Sequence, residues 1–215
     1  MASIVLMGDS VFDNGAYTKG APDVAEHLRR CLGAEHSVTL CAVDGTTTTT
    51  LGVQLGRVPK STTQVVLSLG GNDGMENADL LGLPVRSTAG ALDLFRERIG
   101  DFAERYGWAL DAIVDLGHPV LVCTIYEGDL GDEAMRASTA LSLFNDVIVR
   151  AAAARKLPLL DLRTVCNQPS DFVNAIEPSA TGGEKVAVAV AEALEQLWAA
   201  PALRGHAVVF GAPRG

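Results

Sequence analysis

Aromatic residues are scarce in this chain, at 5% of 215. That argues against an extended stacking platform for single-stranded nucleic acid or sugar. Basic residues are also in deficit. Seventeen Lys and Arg face 26 Asp and Glu, for a formal net charge of −9. No Lys/Arg cluster stands out, so nucleic acid and anionic membranes are not expected partners. Cysteine is sparse too. Cys31, Cys41, Cys123 and Cys166 form no Cys-x-x-Cys pair, which leaves buried free thiols rather than a zinc or dithiol motif. No apolar run is long enough to span a bilayer. The apolar opening stops at Gly8-Asp9 and lacks the basic flank of a signal peptide, so a cytoplasmic protein is expected. Neither a Walker loop nor Gly-x-Gly-x-x-Gly follows the first apolar run, which disfavours a nucleotide binder.

What is present is an ordinary soluble composition, 48% hydrophobic and 20% charged, in a chain of single-domain length. Apolar runs at Ser3–Met7, Ser37–Val43, Gln64–Leu69, Pro119–Ile125 and Leu157–Leu162 read as five strands. Between them, Asp23–Leu32, Ser87–Leu116, Asp132–Arg155 and Ala180–Ala199 read as helices, with Ser87 and Ser179 as N-caps. Thr46–Gly56 is expected as a short helix despite its threonine run, and Gly74–Pro84 as a loop. Strands alternating with helices imply parallel β-α-β units. Near-continuous apolar strands imply a sheet covered on both faces. The expected fold class is therefore α/β, a three-layer α/β/α sandwich. Its flavodoxin-like parallel five-stranded sheet has order 2-1-3-4-5. Residues 1–200 form the domain, and 201–215 read as a tail with no element of its own.

In such sheets ligands meet the carboxyl ends of the strands. Three polar signals fall there. Ser10 follows the first strand in Gly8-Asp9-Ser10, Gly45 follows the second, and Asn72 follows the third in Gly70-Gly71-Asn72-Asp73. Each alone is an ordinary cap or turn. Together they place a nucleophile beside two hydrogen-bond donors. The backbone N–H groups of Ser10 and Gly45 and the Asn72 amide would converge on the oxygen that gains charge when serine attacks a carbonyl.

With those residues in view, the chain resembles the SGNH/GDSL hydrolases up to about Ala200. Gly8–Asn14 resembles the family's nucleophile block, Val43–Thr47 its oxyanion-glycine block, and Gly70–Asp73 its asparagine block. The resemblance implies hydrolysis of carboxylic esters, thioesters or O-acyl groups through an acyl-enzyme on Ser10. It implies a small-molecule substrate and neither metal nor other cofactor.

The fourth block departs from the family. Where Asp-x-x-His-Pro is usual, this chain has Asn174-Ala175-Ile176-Glu177-Pro178. Glu177 takes the place of the histidine and Asn174 that of the aspartate. His36 and His118 precede strands, His27 lies in a helix running away from the site, and His206 lies beyond the last helix. Glu177 is therefore the leading base. A carboxylate of pKa ~4.3 is a weak one unless burial raises it. Equally, a carboxylate before a helix can simply complement its dipole. The alternative to an esterase is thus a catalytically impaired member that binds an acylated ligand. Asp171 is a further carboxylate on the same edge. Tyr126 and Asp13 are expected to contact substrate, while Asp9 and Asn14 brace the Ser10 loop.

Overall fold

The apolar runs become neighbouring parallel strands. In the computed structural model, which describes residues 1–203 and 205–213, these are β1 (Ser3–Gly8), β2 (Ser37–Leu40), β3 (Gln64–Ser68), β4 (Val120–Cys123) and β5 (Leu159–Leu160). All pair in parallel, in the order β2-β1-β3-β4-β5. Successive side chains of a strand point to opposite faces, and β1 shows the consequence. Ile4 and Leu6 join one core with α1 (Val24–Leu32) and α6 (Ala180–Ala199). Val5 and Met7 join a second with α4 (Thr88–Val114) and α5 (Ala134–Ala154). All four β1 side chains are fully buried. An unbroken apolar run is therefore what this strand requires.

Local chemistry starts the helices. The side chains of Asp23, Ser87 and Ser179 accept from the N–H of Glu26, Gly90 and Gly182, at 2.7, 3.1 and 3.1 Å. Each satisfies a donor that the first helical turn leaves open. Among the described residues no helix is long and apolar enough to cross a membrane.

Three expectations need correction. The sheet has six strands, not five, because Val209–Phe210 forms β6, parallel to β5. Residues beyond 200 thus contribute an element; Phe210 enters the core and Ala212 N–H donates to Thr164 Oγ1 at 2.9 Å. Gly74–Pro84, expected as a loop, instead continues α3 (Gly71–Glu76) into a 3-10 turn at Ala78–Gly82. Finally, of Thr46–Gly56 only α2 (Gly52–Leu55) is helical. The threonines before it form turns held by their own hydroxyls, as between Thr47 N–H and Thr50 Oγ1 at 2.9 Å. Short hydroxyl side chains compete with the backbone for such bonds, which explains why the helix starts late.

Candidate active site

The site begins where β1 leaves the sheet. Gly8 has φ of 123°, and a Cβ there would lie 1.6 Å from the Ser68 carbonyl oxygen. Only glycine permits this approach. It brings the chain across the end of β3 and turns Asp9 and Ser10 into the crevice. Asp9 N–H donates to Ser68 O at 3.2 Å, and Asp9 O accepts from the N–H groups of Phe12 and Asp13. This tight turn leaves the Ser10 N–H without an acceptor among the described residues.

Gly45 lies in an exposed turn with φ of 78° and open space around it. Its N–H is likewise uncommitted. The turn is held from two sides. Asp13 accepts from Asp44 N–H at 2.9 Å, and Tyr17 donates to Asp44 Oδ2 at 2.6 Å. Asn72 donates through Nδ2 to Thr46 O at 3.0 Å. One amide hydrogen is thus tied to the Gly45 turn and the other is free. Neighbouring Asp73 is buried and accepts from the Thr48 N–H and hydroxyl at 3.0 and 2.5 Å.

Gln54 belongs to the same scaffold, and sequence reasoning missed it. In α2 it is fully buried, while neighbouring Val53 is exposed. That inverts the hydropathic expectation. Gln54 Oε1 accepts from Gly8 N–H at 2.8 Å, and Nε2 donates to Gly8 O and Thr46 Oγ1 at 2.7 and 3.0 Å. β2 stops short of Gly8, since its register on β1 ends at Leu6↔Leu40. Val43 N–H also donates to Gly8 O at 3.1 Å, so it is the Gly8 N–H that would be buried unsatisfied without this amide. Asn145 does the same at the end of β4, holding both Ile125 N–H and O at 2.8 Å. A polar residue inside an apolar turn was the available signal for Gln54.

The fourth segment brings Glu177 to Ser10. Asn174 Oδ1 accepts from the Ile176 and Glu177 N–H groups at 2.9 and 2.8 Å. Tyr126 donates to Ile176 O at 2.6 Å, and Asp129 N–H to Ala175 O at 2.8 Å. Asn14 Nδ2 reaches Pro178 O at 3.4 Å. These tethers hold Glu177 mostly buried. Burial raises its pKa above the ordinary carboxylate value, the Ser10 hydroxyl opposes the rise by hydrogen bonding, and Asp44 adds to it. The two side chains therefore face one another. Their alignment is incomplete, because Glu177 Oε2 has no partner of good hydrogen-bond geometry.

Asp171 has a different part. It is fully buried, accepts from the N–H groups of Asn167 and Gln168 at 3.0 Å, and pairs with Lys185 Nζ at 2.6 Å. That ion pair is close but not aligned as a hydrogen bond. Asp171 anchors the loop, and its carbonyl lies so near Gly182 that a Cβ there would come within 2.1 Å. Among the described residues no hydrogen bond joins His27, His36, His118 or His206 to Ser10. His36 instead stacks on Trp198 at 5.0 Å, and His206 precedes β6, at the opposite edge of the sheet.

Two further features define the electrostatics. Asp9 is buried, and its pKa is pushed up to about 7. Desolvation is the main cause; the Val11 N–H opposes it, and the charges of Glu177 and Asp73 add to it. Tyr17 is raised to about 12, first through its bond to Asp44. Beside Ser10 and Asn72 opens a cavity of about 640 Å³. Tyr126 lines it, with burial holding its phenol well above the ordinary value. Asp13 does not line it. Its carboxylate holds the Gly45 turn through Asp44 N–H.

The Ser10 hydroxyl, two uncommitted N–H groups, the Asn72 amide and the Glu177 carboxylate thus come from four chain segments. Known proteins share the arrangement of the chain. Solved structures with similar folds include the extracellular lipase of Streptomyces rimosus. It is 17% identical, with 91% of this chain and 99% of that one covered and a TM-score of 0.65. The phospholipase A1 of Streptomyces albidoflavus is 20% identical over 91% and 98%, with a TM-score of 0.65. The M. smegmatis aryl esterase is 18% identical over 92% and 100%, at 0.64. Direct sequence comparison with curated proteins finds no match. The model of the GDSL-like lipase/acylhydrolase family matches residues 6–185, and spans all four segments of the site. The chain belongs to the GDSL-like lipase/acylhydrolase family.

Proposed function

We propose that this protein hydrolyses small-molecule carboxylic esters through an acyl-enzyme on Ser10, with Glu177 as the base. The observation that carries the proposal is the buried Glu177 carboxylate facing the Ser10 hydroxyl. It occupies the position that the fourth sequence block reserves for a base.

The chemistry follows from the positions. Ser10 Oγ attacks the ester carbonyl carbon while Glu177 takes the hydroxyl proton. Negative charge moves to the carbonyl oxygen, where the N–H groups of Ser10 and Gly45 and the Asn72 amide receive it. As the tetrahedral intermediate collapses, the carbon–oxygen bond to the alcohol breaks and protonated Glu177 returns the proton to the leaving oxygen. Water then repeats the sequence on the acyl-serine, releasing the acid. A raised pKa makes Glu177 a better proton acceptor than an exposed carboxylate. The tethers on Asn174, Tyr126 and Asn14 keep it in place without a histidine.

The test is initial-rate hydrolysis of p-nitrophenyl esters from pH 4 to 9 by wild type, Ser10→Ala and Glu177→Gln. Ser10→Ala is expected to abolish turnover. Glu177→Gln is expected to lower kcat by about 10²–10⁴-fold, the usual worth of a positioned base. Equal, background-level rates for wild type and Ser10→Ala would overturn the proposal in favour of a binding protein.

A further inference from the structure

The hollow beside Ser10, at about 640 Å³ and open at its mouth, is of the size that small-molecule sites take. Its walls are built for an apolar occupant. α5 presents Ala137, Ala140, Leu141 and Phe144 to it, at the i, i+3, i+4, i+7 spacing of one helical face. The two alanines on that face leave the width. Met75 and Leu81 form the facing wall and are half exposed, so the apolar surface continues to the mouth. Ile125 closes the inner end beside Ser10 and Asn72.

Which part of an ester enters is decided by the lining. Ser10 and Asn72 border the hollow, whereas Glu177 and Gly45 do not. The leaving alcohol must lie where Glu177 can return a proton to it. The substituent on the hollow's side of the carbonyl is then the acyl group. A water's share of liquid volume is about 30 Å³, and a methylene takes a similar space. A chain of about eight to twelve carbons would fill roughly half of the hollow, leaving ordinary clearance.

We infer that the hollow formed by α5, α3 and the Ala78–Gly82 turn is an acyl-chain channel, and that the protein prefers esters of medium-chain fatty acids to acetates. The inference rests on the hydrolase reading for its placement of Ser10 and Glu177, but the channel itself can be tested without turnover.

The experiment has two arms. In the first, kcat/KM is measured for p-nitrophenyl acetate, butyrate, octanoate and decanoate below their solubility limits, with wild type and Ala140→Phe. In wild type it should rise by up to about fourfold per methylene and exceed the acetate value by at least about 100-fold at octanoate. Ala140→Phe should lower the decanoate-to-acetate ratio at least about tenfold. In the second arm 1-decanol, uncharged and so not repelled by Asp9 or Glu177, is titrated calorimetrically into Ser10→Ala. Binding is expected, with ethanol giving none. A flat chain-length profile in wild type together with no heat from 1-decanol would overturn the channel, whatever the rate on acetate. No turnover of any ester, with 1-decanol bound, would sink the hydrolase reading and leave the channel standing. Should Ala140→Phe fail to fold, the wild-type profile and the titration decide alone.

Discussion

Replacing Asp9 by asparagine should make stability less sensitive to pH, and the size of the effect follows from burial. Asp9 is 3% exposed, and its pKa is displaced from 3.8 to about 7. Folding therefore holds a proton that the unfolded chain releases between those values. The folded state binds more protons throughout that window, so wild-type stability falls as pH rises through it. The stability is fully present below about pH 3.8 and is lost by about pH 7. At ~1.4 kcal/mol per pKa unit the loss is about 4 kcal/mol, or roughly 10 °C in Tm for a chain of this length. Asparagine keeps an oxygen for the Val11 N–H, which Asp9 Oδ1 now accepts at 3.2 Å, but carries no charge to desolvate. Urea denaturation of both proteins at pH 5 and pH 8 is the assay. Asp9→Asn should gain on wild type by about 2–3 kcal/mol at pH 8 relative to pH 5, the part of the loss that falls above pH 5. Titrating groups not coupled to Asp9 cancel in that difference. A difference that does not change with pH would refute the account of Asp9 as a buried, proton-holding carboxyl. The same titration bears on kinetics. A limb near pH 7 in the rate profile would ordinarily be read as histidine. Here it should vanish in Asp9→Asn, because a carboxyl beside Ser10 titrates there.

Three more outcomes follow from the geometry. Asn72→Ala should lower kcat about 10²–10³-fold with KM little changed, as loss of an oxyanion donor does; steady-state kinetics on a p-nitrophenyl ester checks it. Gly8→Ala should cost more than about 4 kcal/mol in urea denaturation, because its methyl would meet the Ser68 carbonyl at 1.6 Å. Asn174→Ala frees the Ile176 and Glu177 N–H groups. It should lower kcat more than it raises KM, while Asn174→Asp, which keeps the acceptor, should restore much of the rate.

The sequence by itself determined the layers and the edge on which chemistry could occur. β1, β3 and β4 are unbroken apolar runs because both their faces are buried. The glycines at 8, 45 and 70 marked turns at the strand ends, and all three have positive φ. Caps at Ser87 and Ser179 were legible because the bonds they make span three residues. Less was legible wherever a residue's partner lies far along the chain. β6 is two residues long and exists because β5 offers an open edge. Gln54 is buried because the N–H of Gly8, 46 residues away, lies past the end of the β2 register and needs an acceptor. Asp13 holds the Gly45 turn because Asp44 N–H, 31 residues away, lies within reach. The pKa of Asp9 is set by Glu177 and Asp73 as well as by burial. Most of all, Glu177 was readable as a carboxylate just before the last helix, but its neighbours were not. Only folding brings the tethers from Tyr126, Asn14 and Asn174 together. Local patterns specify elements because their interactions are short in sequence. A site assembled from four chain segments depends on long-range packing, and that is decided in three dimensions.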